Sequence, residues 1–83
     1  MVVLLTPEAQ ADFDALPVTI RARVLRIFER LRGWPSISVA KALTWKLAGH
    51  YRSRTGDWRV IFRVVGSKII VVNIKHRSKV YED

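Results

Sequence analysis

Apolar and polar residues alternate with a period of two from Leu47 onward, and before it they recur at helical spacing. His50–Thr55, Trp58–Val65 and Lys68–His76 carry the alternation, which predicts three strands. Two-residue connections, Gly56-Asp57 and Gly66-Ser67, join them, and glycine at the first position suits a type II′ hairpin. Upstream, Ile20, Val24, Ile27, Phe28 and Leu31 recur as i, i+4, i+7, i+8 and i+11, a single helical stripe. Pro17 opens that helix and Gly33 is a fitting residue just past its end, with Arg32 near the negative pole of its dipole. Thr6-Pro7-Glu8 reads as the start of a shorter helix running to about Leu16, with Ala9, Phe13 and Leu16 along one side. Val2–Leu5 is a short β-branched and apolar run, read as a strand. Between the helices and the meander, Trp34-Pro35-Ser36 reads as a turn and a short helix is expected through Val39–Leu43. Trp34 and Trp45 are read as packing pieces of a loop folded onto the body, ahead of stacking platforms for bases. The expected order is β-α-α-β-β-β, an α+β domain with an antiparallel sheet and the two N-terminal helices packed on one face.

The two-residue loops also set a register. Thr55 pairs with Trp58, so Arg54 faces Arg59 and Arg52 faces Ile61; Val65 pairs with Lys68, so Arg63 faces Ile70 and Arg59 faces Ile74. Directly opposed residues point to the same side of a sheet. One face then carries Tyr51, Trp58, Val60, Phe62, Val64, Ile69 and Val71 and receives the helix stripe. The other carries Arg52, Arg54, Arg59, Arg63 and His76, with Ile61, Ile70, Val72 and Ile74 among them.

Composition sharpens this picture at one point, the placement of charge. The 83 residues carry a net charge of +8. Residues 1–40 hold five Lys/Arg against four Asp/Glu, and residues 41–83 hold ten against three, so the excess belongs to the sheet. A localised positive field points to a polyanion or an acidic protein. Arg54 directly opposite Arg59 weighs most, because like charges paired across strands cost some tenths of a kcal/mol to about 1 kcal/mol. A ligand that brings negative charge removes that repulsion, and the arginine fork fits phosphate oxygens. Arg21, Arg23, Arg26, Arg30 and Arg32 lie mostly off the apolar stripe of their helix and read as a solvated face. With no cysteine there is no disulfide or thiolate metal site. The apolar start is too short for a signal peptide, and no run approaches the roughly 18 apolar residues of a transmembrane helix. A single soluble, cytoplasmic domain spanning residues 1–83 is expected, needing no cofactor.

Three stretches resemble the RelE/ParE toxin superfamily of bacterial toxin–antitoxin systems: Val3-Leu4-Leu5-Thr6-Pro7-Glu8-Ala9, the hairpin from Leu47 to Phe62, and Ile74-Lys75-His76-Arg77-Ser78-Lys79-Val80-Tyr81. The last looks like a terminal His-Arg-x-x-Val-Tyr signature. The resemblance implies a compact β-α-α-β-β-β fold, a cognate antitoxin as hetero-oligomeric partner, and one of two activities. RelE-type members are ribosome-dependent, metal-independent endoribonucleases that cut mRNA; ParE-type members inhibit DNA gyrase instead. A third reading is a non-toxic RNA-binding relative.

The basic face favours the nuclease. Metal-independent cleavage needs the 2′-hydroxyl activated, the charge of the pentacoordinate phosphate stabilised and the 5′-oxygen protonated. The resemblance assigns Arg54 and Arg59 to phosphate stabilisation and Arg52 to binding or orientation. Arginine stays protonated, so acid–base work falls to His76, whose side-chain type titrates near neutrality. Tyr81 matches the terminal tyrosine of the signature and would stack on or orient the attacked nucleotide. Lys46, Arg63, Lys75, Arg77 and Lys79 are further RNA-binding cations, although strict alternation puts Lys75 and Arg77 on the core face.

Overall fold

A computed structural model of the protein describes residues 1–36 and 40–79. Strand β1 (Val2–Leu5) leads into helix α1 (Pro7–Asp14) and helix α2 (Val18–Leu31). Strands β2 (Lys41–Ala42), β3 (His50–Thr55), β4 (Trp58–Val65) and β5 (Lys68–His76) follow, and a single 3₁₀ turn, Arg77–Lys79, succeeds the last. The strands form one sheet in the order β1-β5-β4-β3-β2.

The helices start and stop for local reasons. Thr6 is extended, and its hydroxyl accepts the Ala9 N–H while Pro7 fills a position whose N–H needs no partner. The Arg21 guanidinium donates to the carbonyls of Asp14 and Leu16 and lies 5.7 Å from the Phe13 ring centre, tying α2 to the end of α1. Arg21 is therefore a corner clamp and not part of a solvated face. The predicted stripe of α2 is the buried one: Val24, Ile27 and Leu31 are inaccessible, and Ile20 and Phe28 pack against the same core. They meet Val60, Phe62, Ile69 and Val71 from the sheet, with Tyr51, Trp58 and Val64 packed at the margin. Trp34 closes one end of this core, edge-on to Tyr51 and Phe62 with ring centres 4.7 and 5.6 Å apart. It is a packing residue, as expected; the side chain of Trp45 is not among those described.

Three features depart from the expected architecture. β1 runs parallel to β5, with Val3 beside Ile69 and Leu5 beside Val71, so the sheet is mixed. The short helix expected through Val39–Leu43 is replaced, over its described residues, by the two-residue strand β2, which pairs Lys41 with Arg52 and Ala42 with Tyr51. The exposed edge of β3 offered unpaired backbone groups, and tertiary pairing overrode a weak helical preference. The third departure is a bulge. β4 and β5 keep the predicted register from Val65–Lys68 to Phe62–Val71, then shift by one residue, so Ile61 pairs with Asn73 and leaves Val72 without an opposite. Ile74, expected on the basic face, consequently falls opposite Val60 and is buried in the core.

Contacts from the N-terminal segment hold the bulge. The Thr6 N–H donates to the Val71 carbonyl and the Thr6 hydroxyl to that of Val72. The Asp12 carboxylate then accepts the Ile74 N–H at 3.0 Å. Thr6 and α1 therefore supply donors and an acceptor to β5 where β1 has ended. Among the described residues no helix is long and apolar enough to cross a membrane.

Candidate functional site

The face away from the helices is organised by β3 and β4, whose pairing has the expected register: Arg54 opposite Arg59, Arg52 opposite Ile61, His50 opposite Arg63. Gly56 makes the tight reversal possible, since its φ of +56° is one that L side chains rarely adopt. Extending each rung across the sheet gives two cation-rich rows. Arg54, Arg59 and Lys75 form the row nearest the β3–β4 turn, and Lys41, Arg52, Ile61 and Asn73 form the next. Arg54 is exposed, and Arg59 and Arg52 are half-buried. The Arg59 guanidinium donates to the Gly56 carbonyl at 3.1 Å, which holds it against the turn. Arg63 is exposed one rung beyond Arg52, opposite Ile70 on its other side.

His76 is not on this face. The bulge places it opposite Trp58, on the helix side of the sheet, with the ring centres 5.4 Å apart and edge to face. A one-residue slip moves a side chain to the opposite face, which is why strict alternation misplaced it. The same slip moves Lys75 opposite Arg59 and off the core-face row that alternation had given it. The two faces still meet here, because Trp58 adjoins Arg59 at the start of β4. His76, Trp58, Lys75 and Lys79 join Asp12 and Leu16 around a cleft of about 200 Å³ at the end of the sheet.

The imidazole is held from both sides. The Ser78 N–H donates to Nδ1 at 3.3 Å and the Ser78 hydroxyl lies 3.0 Å from the same atom. With Nδ1 accepting, the neutral ring carries its proton on Nε2. That nitrogen looks toward Asp57 of the β3–β4 turn, 4.0 Å from Oδ2. Arg77 also converges on Asp57: its N–H donates to the Asp57 carbonyl at 2.6 Å and its Nε lies 3.7 Å from Oδ1. Arg77 starts the 3₁₀ turn, so it leaves the core-face row that alternation had given it. Sequence reading treated Asp57 as a turn residue only; its position between two signature residues becomes visible once β5 is placed beside β4.

Lys75 is an ion-pair partner within the fold. Its ammonium lies 2.8 Å from Asp12 and 3.4 Å from Glu8. The hydrogen bond to Asp12 is the main cause that raises its pKa above the ordinary lysine value; burial opposes it, and the charge of Asp12 and the contact with Glu8 add to the rise. Lys75 is thus a fixed cation and no candidate base. Lys46 is exposed in the segment before β3, and Lys79 is exposed at the cleft. Tyr81 lies outside the described residues. Among the described residues no group of three or more His, Cys, Asp or Glu side chains comes together to hold a metal ion.

Residues 3–81 match the family described as the ParE toxin of the type II toxin–antitoxin system parDE. The toxin RelE3 of Methanocaldococcus jannaschii is 31% identical over 99% of this chain and 97% of its own, and the toxin RelG of Mycobacterium tuberculosis is 30% identical over 95% and 93%. Among solved structures, the toxin–antitoxin complex RelBE2 of M. tuberculosis superposes with a TM-score of 0.80 at 29% identity, covering 92% of this chain and 96% of that one. The isolated RelE toxin of E. coli, at 14% identity and a TM-score of 0.76, shares the fold. With the helical pair, the mixed sheet and the arginine-bearing hairpin all in place, the chain belongs to the RelE/ParE superfamily of type II toxin–antitoxin toxins.

Proposed function

We propose that this toxin is a ribosome-dependent endoribonuclease that cuts mRNA without a metal ion. The observation that carries the reading is the row of like charges across the β3–β4 hairpin, Arg54 directly opposite Arg59 with Arg52 one rung away. In the proposed reaction the 2′-oxygen of one nucleotide attacks the adjacent phosphorus, and the bond from phosphorus to the 5′-oxygen breaks. Arg54 and Arg59 stabilise the added charge on the phosphoryl oxygens, and Arg52 orients the strand. Arg59 is the better fixed of the first two, because its guanidinium donates to the Gly56 carbonyl. Protonated His76 is the general acid: Nε2–H donates to the departing 5′-oxygen as the proton of the attacking 2′-hydroxyl passes to water, and Nδ1–H is held by the Ser78 hydroxyl. Tyr81, Arg63, Arg77 and Lys79 complete the binding surface, with Lys46 at its margin.

The partner is a cognate antitoxin in a hetero-oligomer, as in the RelBE2 complex. The sheet offers it adjoining apolar side chains: Val2, Leu4 and Val65 are 56, 42 and 48% exposed, Leu4 on the rung that carries Arg63 and Val2 and Val65 on the next one along this face. A segment that is partly acidic and partly apolar satisfies both halves of this surface.

A second reading, inhibition of DNA gyrase, is favoured by the description of the matching family and by one structural fact. His76 lies on the opposite face from the arginine row. Induced expression in growing bacteria, with primer extension on an abundant mRNA, separates the two. Cuts at in-frame codon positions that disappear with Arg59→Ala support the nuclease. Growth arrest with uncut mRNA and a DNA-damage response selects the gyrase reading.

A further inference from the structure

The β3–β4 turn gathers more cations than the hairpin itself supplies. Arg23 of α2 reaches it: a Cβ built on Gly56 would lie 3.9 Å from Arg23 Nη1, ordinary contact distance. The Arg59 guanidinium touches the same residue from the sheet, through the Gly56 carbonyl. Two guanidinium groups from separate layers therefore meet at one turn. Arg23 does not stand alone on its helix. At 100° per residue, Arg23, Arg26 and Arg30 fall within about 60° of one another, a narrow stripe beginning at the hairpin tip. The stripe belongs to the flank of α2 that leads toward β3, whereas Arg21 and Phe28 on the other flank meet Phe13 of α1.

All three arginines are exposed, and among the described residues none has a hydrogen bond or ion pair. Glu29, the acidic neighbour on this helix, is engaged with Arg32 at 3.5 Å. The β3 side of the molecule thus has Arg52 and Arg54 on one face and Arg23, Arg26 and Arg30 beside the other, joined around Gly56. Three like charges on one helical stripe disfavour the helix slightly, and of the three Arg30 alone, in the last turn, is favoured by the helix dipole. An acidic protein segment would fit the charge, but this stripe carries no apolar anchor: its remaining member is Thr19.

We infer that this stripe is a second RNA-binding surface, holding the phosphate backbone of the strand beyond the cut after it passes over the β3–β4 turn. The inference rests on RNA being the ligand of the hairpin site. Arg23, Arg26 and Arg30 contact phosphates and leave base identity unread, so they add affinity and direction without chemistry.

The test compares wild type with the triple variant Arg23→Gln/Arg26→Gln/Arg30→Gln, binding a short 2′-O-methyl RNA that cannot be cleaved, over a range of salt concentrations. Loss of three phosphate contacts lowers the slope of log affinity against log salt by about 2, and weakens binding about tenfold or more at low salt, equally for different sequences. The triple lysine variant restores the slope, and Arg32→Gln, on the other flank, leaves it unchanged. Thermal melting shows whether each variant is folded. A folded glutamine variant with the wild-type slope overturns the inference, as does an unchanged slope with weakened antitoxin binding, which makes the stripe a protein contact. Wild type that binds no RNA overturns the reading of the hairpin site itself.

Discussion

The two faces of the sheet obey different rules although the same strands build both. On the helix side, Val60, Phe62, Ile69, Val71 and Ile74 are 0–2% exposed, and each apolar residue sits where burial rewards it. On the far side, Arg54 opposes Arg59, Arg63 stands beside apolar neighbours, and Val2 and Val65 remain open to water. The difference teaches where to look for function. Burial free energy explains the apolar residues of the first face and leaves the opposed arginines of the second unexplained. The cost of the second face is small per contact, so a small domain can carry it if the first face is well packed.

That contrast can be broken hardest from the packed side. Phe62→Ala removes the largest buried ring and should cost about 3–5 kcal/mol, a large part of the stability of a domain this size. Denaturant titration measures it, and a loss below about 1 kcal/mol would mean the core is not where we place it. Next in size is the seam where α1 meets β5. Asp12→Ala strands the Ile74 N–H, leaves the Lys75 ammonium to Glu8, and should cost about 1–3 kcal/mol. Because the folded pKa of Lys75 is raised, its contribution is fully present below the unfolded lysine value and is lost as pH rises through the folded value. Unfolding measured from neutral to strongly alkaline pH should therefore show a stability loss in wild type that is smaller in Asp12→Ala. The smallest effect has the opposite sign. Arg54→Ala should leave the fold as stable or more stable, by up to about 1 kcal/mol, while mRNA cleavage is lost. Destabilisation without loss of cleavage would place Arg54 in the scaffold and erase the distinction between the faces.

Much of this was legible in the residues because it is local. Gly56 and Gly66 announced two tight turns, the turns fixed the β3–β4 register, and the register put Arg52, Arg54 and Arg59 together. The stripe of α2 came from its own spacing. What escaped was set by contacts distant in sequence. The bulge at Val72 depends on Thr6 and Asp12, more than sixty residues away, and nothing near Val72 signals it. From that one residue follow the burial of Ile74, the turning of His76 to the Trp58 side and the pairing of Asp57 with the signature. β2 is too short to have a period, and parallel pairing of β1 with β5 leaves no mark on either strand alone. Arg23 looked like solvent surface because its neighbour at Gly56 belongs to another layer.

The parallel pairing of β1 with β5 also has a consequence in time. Among the described residues β1 has β5 as its one sheet neighbour, so during synthesis Val2 waits for Lys68. At about 5–20 residues per second that delay is roughly 3–13 s, during which the apolar N-terminal segment has no sheet to join. The arginine hairpin likewise lacks β5 along one edge until the end, and long-range pairing of this kind is slow to form. The Arg54–Arg59 pair belongs to the β3–β4 hairpin alone, but its row gains Lys75 only as β5 closes the sheet.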